Sequence, residues 1–212
     1  MASPRIKSAG RNDKGYSSPM PEPIDNRVFV LVLQHPQERR EALSTAPLVI
    51  STLRRAKLAV GLSWPGLARA VGSPAEPSRW AVLHLGAARP PSGERRELAL
   101  LDRRGKAIDE ARAILRGLQG IVLLDGTWSQ AKTLWWRNPW LLKLHRIVLD
   151  PPLPARLGEL RREPRRDALS TIEAAALALR RLEPAPQPAD ALLAALDEMI
   201  AAARRPASAA RR

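Results

Sequence analysis

The sequence contains no cysteine, and its three histidines, His35, His84 and His145, are scattered along 212 residues. Disulfides and thiolate metal sites are therefore excluded, and the histidines make a poor ligand set, so no metal is expected. Aromatic residues are scarce at 4%, with one Tyr and one Phe beside six Trp. No run reaches the roughly 18 apolar residues that a bilayer crossing takes. The opening "MASPRIKSAGRNDKG" lacks the apolar centre of a signal peptide. These absences lead to the expectation of a cytoplasmic protein with no membrane association.

Positive charge is abundant. The chain carries 35 Lys and Arg against 21 Asp and Glu, a formal net charge of +14. Such an excess implies an extended positive potential, for which a polyanion is the natural partner, nucleic acid ahead of a membrane surface. The blander alternative is an Arg-rich composition that merely leaves solvated basic faces. With 45% hydrophobic residues, the chain suffices for one domain with a real core rather than two. Residues 1–26, which include "SSPMPEP", read as a disordered N-terminal arm, 27–204 as a single domain, and 205–212 as a basic C-terminal tail.

Within that domain, short apolar runs suited to buried strands alternate with helical patterns. The runs are "VFVLVL" at 28–33, "WAVLHL" at 80–85, "IVLLD" at 121–125 and "HRIVL" at 145–149. The alternation predicts an α/β fold, a mainly parallel sheet flanked by helices. A first helix is expected from Ser44 or Thr45, either of which can cap it, through "LVISTLRRAK", ending on a basic turn. A second covers 107–118 with Gly120 as its stop, and a third begins after Gly126 and is interrupted by Pro139. The fourth is "LSTIEAAALALRRL" from Leu169, with Ser170 or Thr171 at the N-cap and Glu173 as the capping-box acid. Pro184, Pro186 and Pro188 end it, and "ADALLAALDEMIAAARR" closes the fold.

Three segments carry candidate chemistry. "IVLLDGTW" places Asp125 at the carboxyl end of a buried strand and Thr127 at the mouth of a helix, where open α/β sheets bind ligands. Gly126 permits a tight turn there, and Trp128 is placed to form a pocket wall, although Asp125 or Thr127 could equally do no more than cap the helix. Trp135 and Trp136 are expected in the core. "ELRREPRRDALSTIEA" runs a basic cluster, Arg161, Arg162, Arg165 and Arg166, into a capped helix start, and guanidinium forks suit phosphate oxygens. "LQHPQERREALSTAPL" turns at His35-Pro36; with no nucleophile placed beside it, His35 reads as a turn residue bonded to the backbone rather than a general base. No P-loop, strand-linked GxGxxG or nucleophile elbow is present, which weighs against nucleotide hydrolysis and dehydrogenase chemistry.

In this order and spacing, "LQHPQE" with its following "ST", then "DGTW", "SQAK", "NPWL", "LRREP" and "LSTIEA" resemble the DTW-domain family of RNA-modifying enzymes, over about residues 28–182. The resemblance implies a SPOUT-related fold with a C-terminal trefoil knot. It also implies transfer of the 3-amino-3-carboxypropyl group of S-adenosylmethionine to N3 of a tRNA uridine, releasing methylthioadenosine. On that reading Asp125 takes the imide proton or binds the donor's amino group, two roles that stay open. Thr45, Gly126, Thr127, Trp128, Leu169, Ser170, Thr171 and Glu173 would hold the cofactor, and Arg161, Arg162, Arg165 and Arg166 the tRNA backbone. A SPOUT-type RNA methyltransferase and a non-catalytic RNA-binding protein are the competing readings. Two departures stand out: the family's Cys-rich N-terminal segment is replaced by a Ser/Pro arm, and "STAP" stands where the family usually reads Asn-Thr-Gly.

Overall fold

A computed structural model of the chain describes residues 22–41, 43–83, 98–102, 106–108, 111–149, 156 and 169–204. Six strands form one sheet: β1 (Phe29–Gln34), β2 (Ala56–Val60), β3 (Trp80–Leu83), β4 (Leu98–Leu101), β5 (Gly120–Asp125) and β6 (His145–Leu149). Their order across it is β2-β1-β5-β3-β6-β4, with every neighbouring pair parallel except β4 and β6. The helices are α1 (Ala46–Thr52), α2 (Leu67–Val71), α3 (Ala111–Gly117), α4 (Trp128–Arg137), α5 (Thr171–Leu182) and α6 (Gln187–Arg204). The expected α/β class is thus observed. All four apolar runs become strands, as continuous Val/Ile/Leu stretches do when both sheet faces are covered.

Strand alternation divides the core into two layers. Val30, Val32, Ile121 and Leu123 face one side, under Val49 of α1, Ile172 and Leu179 of α5, and Leu192 and Leu196 of α6. Leu31, Leu33 and Val122 face the other, under Leu67 and Val71 of α2 and under Trp140 and Leu141, with Trp135 of α4 packed against them. The segments leaving β1 and β5 therefore go to opposite faces. The two strands are hydrogen-bonded neighbours whose last residues, Gln34 and Asp125, lie side by side. A crevice opens at such a switch point, beyond the carboxyl ends of the strands.

Several expectations are corrected. The first helix stops at Thr52 instead of running through Lys57, because Ala56–Val60 pairs with β1 from Val30 to Gln34. Its last turn is not basic: Arg54 instead pairs with Asp25 at 2.8 Å, and the Arg55 guanidinium donates to the Arg27 carbonyl at 2.8 Å. The second helix does not begin at 107, since Ala107 bridges to Leu101 and the Ile108 N–H donates to the Leu100 carbonyl at 2.9 Å. Gly120 starts β5 rather than stopping a helix. A Cβ there would lie 2.5 Å from the Trp80 ring, which excludes any larger residue. Pro188 lies in the first turn of α6 and does not precede it, as a residue without an N–H can.

The packed chain also starts before the boundary expected at residue 26. Ile24 bridges to Leu53, and the side chain of the buried Asn26 bonds the Val28 and Arg55 carbonyls at 2.8 and 3.1 Å. Trp136 is not in the core: it is 78% exposed. Residue 136 falls outside the inward face, in line with the exposed Trp128 and Lys132 at four-residue steps. Ala131, Leu134, Trp135 and Asn138 hold that face, at the spacing a buried stripe requires.

Candidate active site

Asp125 ends β5 and is 5% exposed, so its carboxylate is nearly withdrawn from water. Its Oδ2 accepts from Gln34 Nε2 at 2.8 Å, and its Oδ1 accepts from the Thr171 hydroxyl. The same Gln34 amide donates to Ser44 Oγ at 3.1 Å. Three stretches far apart in sequence thus meet on one carboxylate: the end of β1 with the loop after it, the end of β5, and the start of α5. Among the described residues no Lys or Arg pairs with Asp125; its two oxygens hold neutral donors. A sequestered carboxylate that meets only neutral donors among the described residues favours a cationic ligand group. Asp125 does not cap α4, so the capping alternative is excluded for it and retained for Thr127.

The start of α5 is built around a second buried carboxylate. Glu173 Oε2 accepts from the Ser170 N–H at 3.0 Å and the Ser170 hydroxyl at 2.6 Å. Its Oε1 accepts from the Arg156 N–H at 2.5 Å. Ser170 is thereby the N-cap residue, with Glu173 as the capping-box acid as expected. Thr171 occupies the first helical position, which frees its hydroxyl for Asp125. Thr45 precedes α1 and is buried, yet its hydroxyl does not cap that helix; it accepts from the Ile172 N–H of α5 at 3.3 Å. Two helix starts are thus joined beside Asp125. Leu169, half-buried, leads into the same corner.

On the other side of Asp125, Gly126 has φ 148°, a region that favours glycine. A Cβ on it would sit 2.8 Å from Gln130 Oε1 and 3.3 Å from His35 Cβ, so the chain passes here because no side chain intervenes. Gln130 Oε1 accepts from the Thr127 N–H at 2.7 Å, and Thr127 Oγ1 accepts in return from the Gln130 N–H at 3.4 Å, a reciprocal cap that fixes the start of α4. Gln130 Nε2 also reaches Gln37 Oε1 at 3.3 Å. His35 takes the backbone role expected of it: its N–H donates to the Asp125 carbonyl at 3.0 Å and its Nδ1 accepts from the Gln37 N–H at 3.3 Å. Trp128 opens α4, 40% exposed, at the rim of this corner.

Thr45, Asp125, Gly126, Thr127, Trp128, Leu169, Ser170, Thr171 and Glu173 therefore lie at one end of the sheet, around the ends of β1 and β5 and the start of α5. Arg161, Arg162, Arg165 and Arg166 lie outside the described residues. Sequence reasoning missed Gln34, Ser44 as its acceptor, and Gln130. Gln34 had one available signal: it is the only polar residue of the strand "FVLVLQ", and a buried amide at a strand end needs partners. Among the described residues no group of three or more His, Asp or Glu side chains is disposed to hold a metal ion, and no helix is long and apolar enough to cross a membrane.

A mainly parallel sheet with helices on both faces, and a polar crevice at its switch point beneath a helix start, defines an open-sheet α/β protein. The particular kind follows from comparison. The model of the DTW domain family matches residues 16–204, and the chain belongs to that family, which is associated with tRNA modification. In comparisons with curated proteins and with solved structures, nothing matches the chain.

Proposed function

We infer that the protein transfers the 3-amino-3-carboxypropyl group of S-adenosylmethionine to N3 of a uridine in tRNA. The observation that carries this reading is the convergence of three DTW-family motifs, "HPQE…ST", "DGTW" and "LSTIEA", on the Asp125 carboxylate. S-adenosylmethionine, when bound, would supply an electrophilic γ-carbon next to its sulfonium, so that transfer to uridine N3 would exchange the C–S bond for an N–C bond and release methylthioadenosine and a proton. The residues present fit such a donor, because a sequestered carboxylate lacking a described cationic partner complements an ammonium or sulfonium charge.

Each residue then has a role. Asp125 binds the donor's amino group or receives the N3 proton. Gln34 and Thr171 hold its two oxygens in place, so the carboxylate does not have to reorganise during the reaction. Thr45, Leu169, Ser170 and Thr171 form the cofactor-side wall, and Glu173 fixes that wall through Ser170 and Arg156. Gly126 and Thr127 offer close backbone approach, and Trp128 presents an aromatic face to a cationic or planar group. Arg161, Arg162, Arg165 and Arg166 grip tRNA phosphates, and the fold carries a C-terminal trefoil knot of the SPOUT kind.

By-products test the reading. Protein incubated with unmodified tRNA and S-adenosylmethionine should release methylthioadenosine and leave an aminocarboxypropyl uridine detectable by nucleoside mass spectrometry. Release of S-adenosylhomocysteine would instead make the protein a methyltransferase. RNA binding without any cofactor binding would make it a non-catalytic RNA-binding protein.

A further inference from the structure

Trp136 is left unexplained by the site. It stands two turns along α4 from Trp128, with Lys132 midway, and all three are exposed on that helix while Ala131 and Leu134 face inward. Positions 128, 132 and 136 repeat at four-residue spacing, so they form one stripe about 12 Å long that starts at the rim of the Asp125 corner. An indole 78% exposed forgoes the burial that a ring of its size normally gains, and exposed aromatics in such a setting mark contact surfaces.

The charge around the stripe selects the partner. From Gly126 to Leu149 the sequence contains no acidic residue but has Lys132, Arg137, Lys143 and Arg146. Lys132, Arg137 and Lys143 are exposed, and Arg146 lies with its guanidinium 5.7 Å from the centre of the Trp135 ring. A second copy of a chain of net charge +14 would bring like charge onto this face. A single-stranded polyanion would not. Aromatic rings alternating with cations are what unpaired nucleotides require: faces to stack on and charges for the phosphates between them.

We propose that the exposed face of α4 is a docking strip for unpaired nucleotides of the RNA substrate, with Trp136 stacking on a base away from the modified uridine and Lys132 meeting an intervening phosphate. The proposal rests on the reading that the Asp125 site acts on tRNA, and it adds the path by which the strand reaches that site. Positions 128 and 136 are separated by about 12 Å along the helix axis, so Trp136 is assigned a nucleotide of its own.

The test uses the full chain, an unmodified tRNA transcript and a single-stranded oligoribonucleotide with its duplex as control. Trp136→Ala should weaken binding of the transcript and the single strand by about five- to a hundredfold. Trp136→Phe should recover most of that loss, and binding of the duplex should change little. Lys132→Ala should lower the slope of log affinity against log salt by about 0.7 to 0.9. Affinity for S-adenosylmethionine and the melting temperature should match wild type in all three variants. Unchanged RNA affinity in Trp136→Ala overturns the proposal, and a loss of self-association in sedimentation with RNA affinity unchanged would assign the face to a second copy instead. If Trp136→Ala weakens RNA binding while the wild type releases no methylthioadenosine, the strip stands and the transfer reading falls.

Discussion

A carboxylate that receives buried hydrogen bonds and is also proposed to take part in the chemistry cannot be tested by the simplest truncation. Asp125→Ala would leave one N–H of the Gln34 amide and the Thr171 hydroxyl without their acceptors in a buried corner, at a cost of about 1 to 3 kcal/mol each. Loss of activity would then be confounded with loss of structure. Asp125→Asn avoids this: its oxygen still accepts from Gln34, and its amide donates to a Thr171 hydroxyl that can turn to accept. We expect Asp125→Asn to melt within a few degrees of wild type, to bind S-adenosylmethionine less tightly, and to lose at least about a hundredfold in transfer, as removal of one preorganised electrostatic group does. Calorimetry and single-turnover assays separate these effects. Activity near wild type would remove Asp125 from the mechanism.

Gly126 gives an independent check at the same scale, since its demand is steric and conformational rather than chemical. In Gly126→Ala the new Cβ would meet the Gln130 side chain at 2.8–2.9 Å at a φ of 148°. Moving Gln130 away breaks its bond to the Thr127 N–H, so strain and loss of a cap add. The expected destabilisation is about 2 to 3 kcal/mol, read as a fall in melting temperature on the order of 5 to 10 °C for a domain of this size. A melting temperature equal to wild type would show that this turn relaxes freely.

At the scale of elements, both ends of α5 are fixed by single ionic side chains, Glu173 at its start and Arg27 at its end. Arg27 donates to the carbonyls of Leu182 at 2.5 Å and Leu118 at 2.8 Å, binding the end of α5 and the chain just after α3 to the start of β1. Glu183 returns the connection, accepting from the Val28 N–H at 2.7 Å and the Arg27 N–H at 3.1 Å. Arg27→Ala should therefore cost about 2 to 4 kcal/mol in chemical denaturation, the loss of charge-assisted bonds that water only partly replaces. Affinity for S-adenosylmethionine in the folded fraction should not change, because this junction lies at the end of the sheet opposite Asp125.

The same scale shows what a sequence can and cannot express. The four strands that read as such contain short apolar runs, so no neighbour was needed to recognise them. β4, "LALL", consists of good helix formers and becomes a strand only through its antiparallel pairing with β6. β2, "AKLAV", continues a helical pattern across Thr52 and is recruited to the sheet by β1. Tertiary pairing overrides local preference in both cases. The site divides in a similar way. The motif residues Asp125, Thr127, Ser170, Thr171 and Glu173 were visible because strand ends and helix caps have local signatures. Gln34 acquires meaning only from the register that sets it beside Asp125, and Thr45, legible as a cap of α1 and through the family resemblance, has its hydroxyl bonded instead to a helix start 127 residues away in sequence.

For the whole molecule, charge decides how the proposed binding of tRNA is to be tested. A net charge of +14 attracts any polyanion, so affinity alone says little about specificity. Salt dependence is the informative quantity, because its slope counts the phosphates neutralised. If Arg161, Arg162, Arg165 and Arg166 lie along the tRNA backbone, Arg162→Ala and Arg165→Ala should each flatten the plot of log affinity against log salt by just under one unit, and the double variant by just under two. The effect should be the same for tRNAs that are substrates and those that are not, since phosphate contacts position an RNA without reading its bases. Asp125→Asn should leave the slope unchanged, as a residue inside the crevice meets no backbone phosphate. The two sets of variants therefore separate binding from chemistry. Should Arg162→Ala lower affinity for S-adenosylmethionine and leave the salt slope intact, the basic cluster would belong to the cofactor and not to the RNA. The positive face used by tRNA would then have to be sought along α4, where Lys132 and Trp136 already stand beside the site.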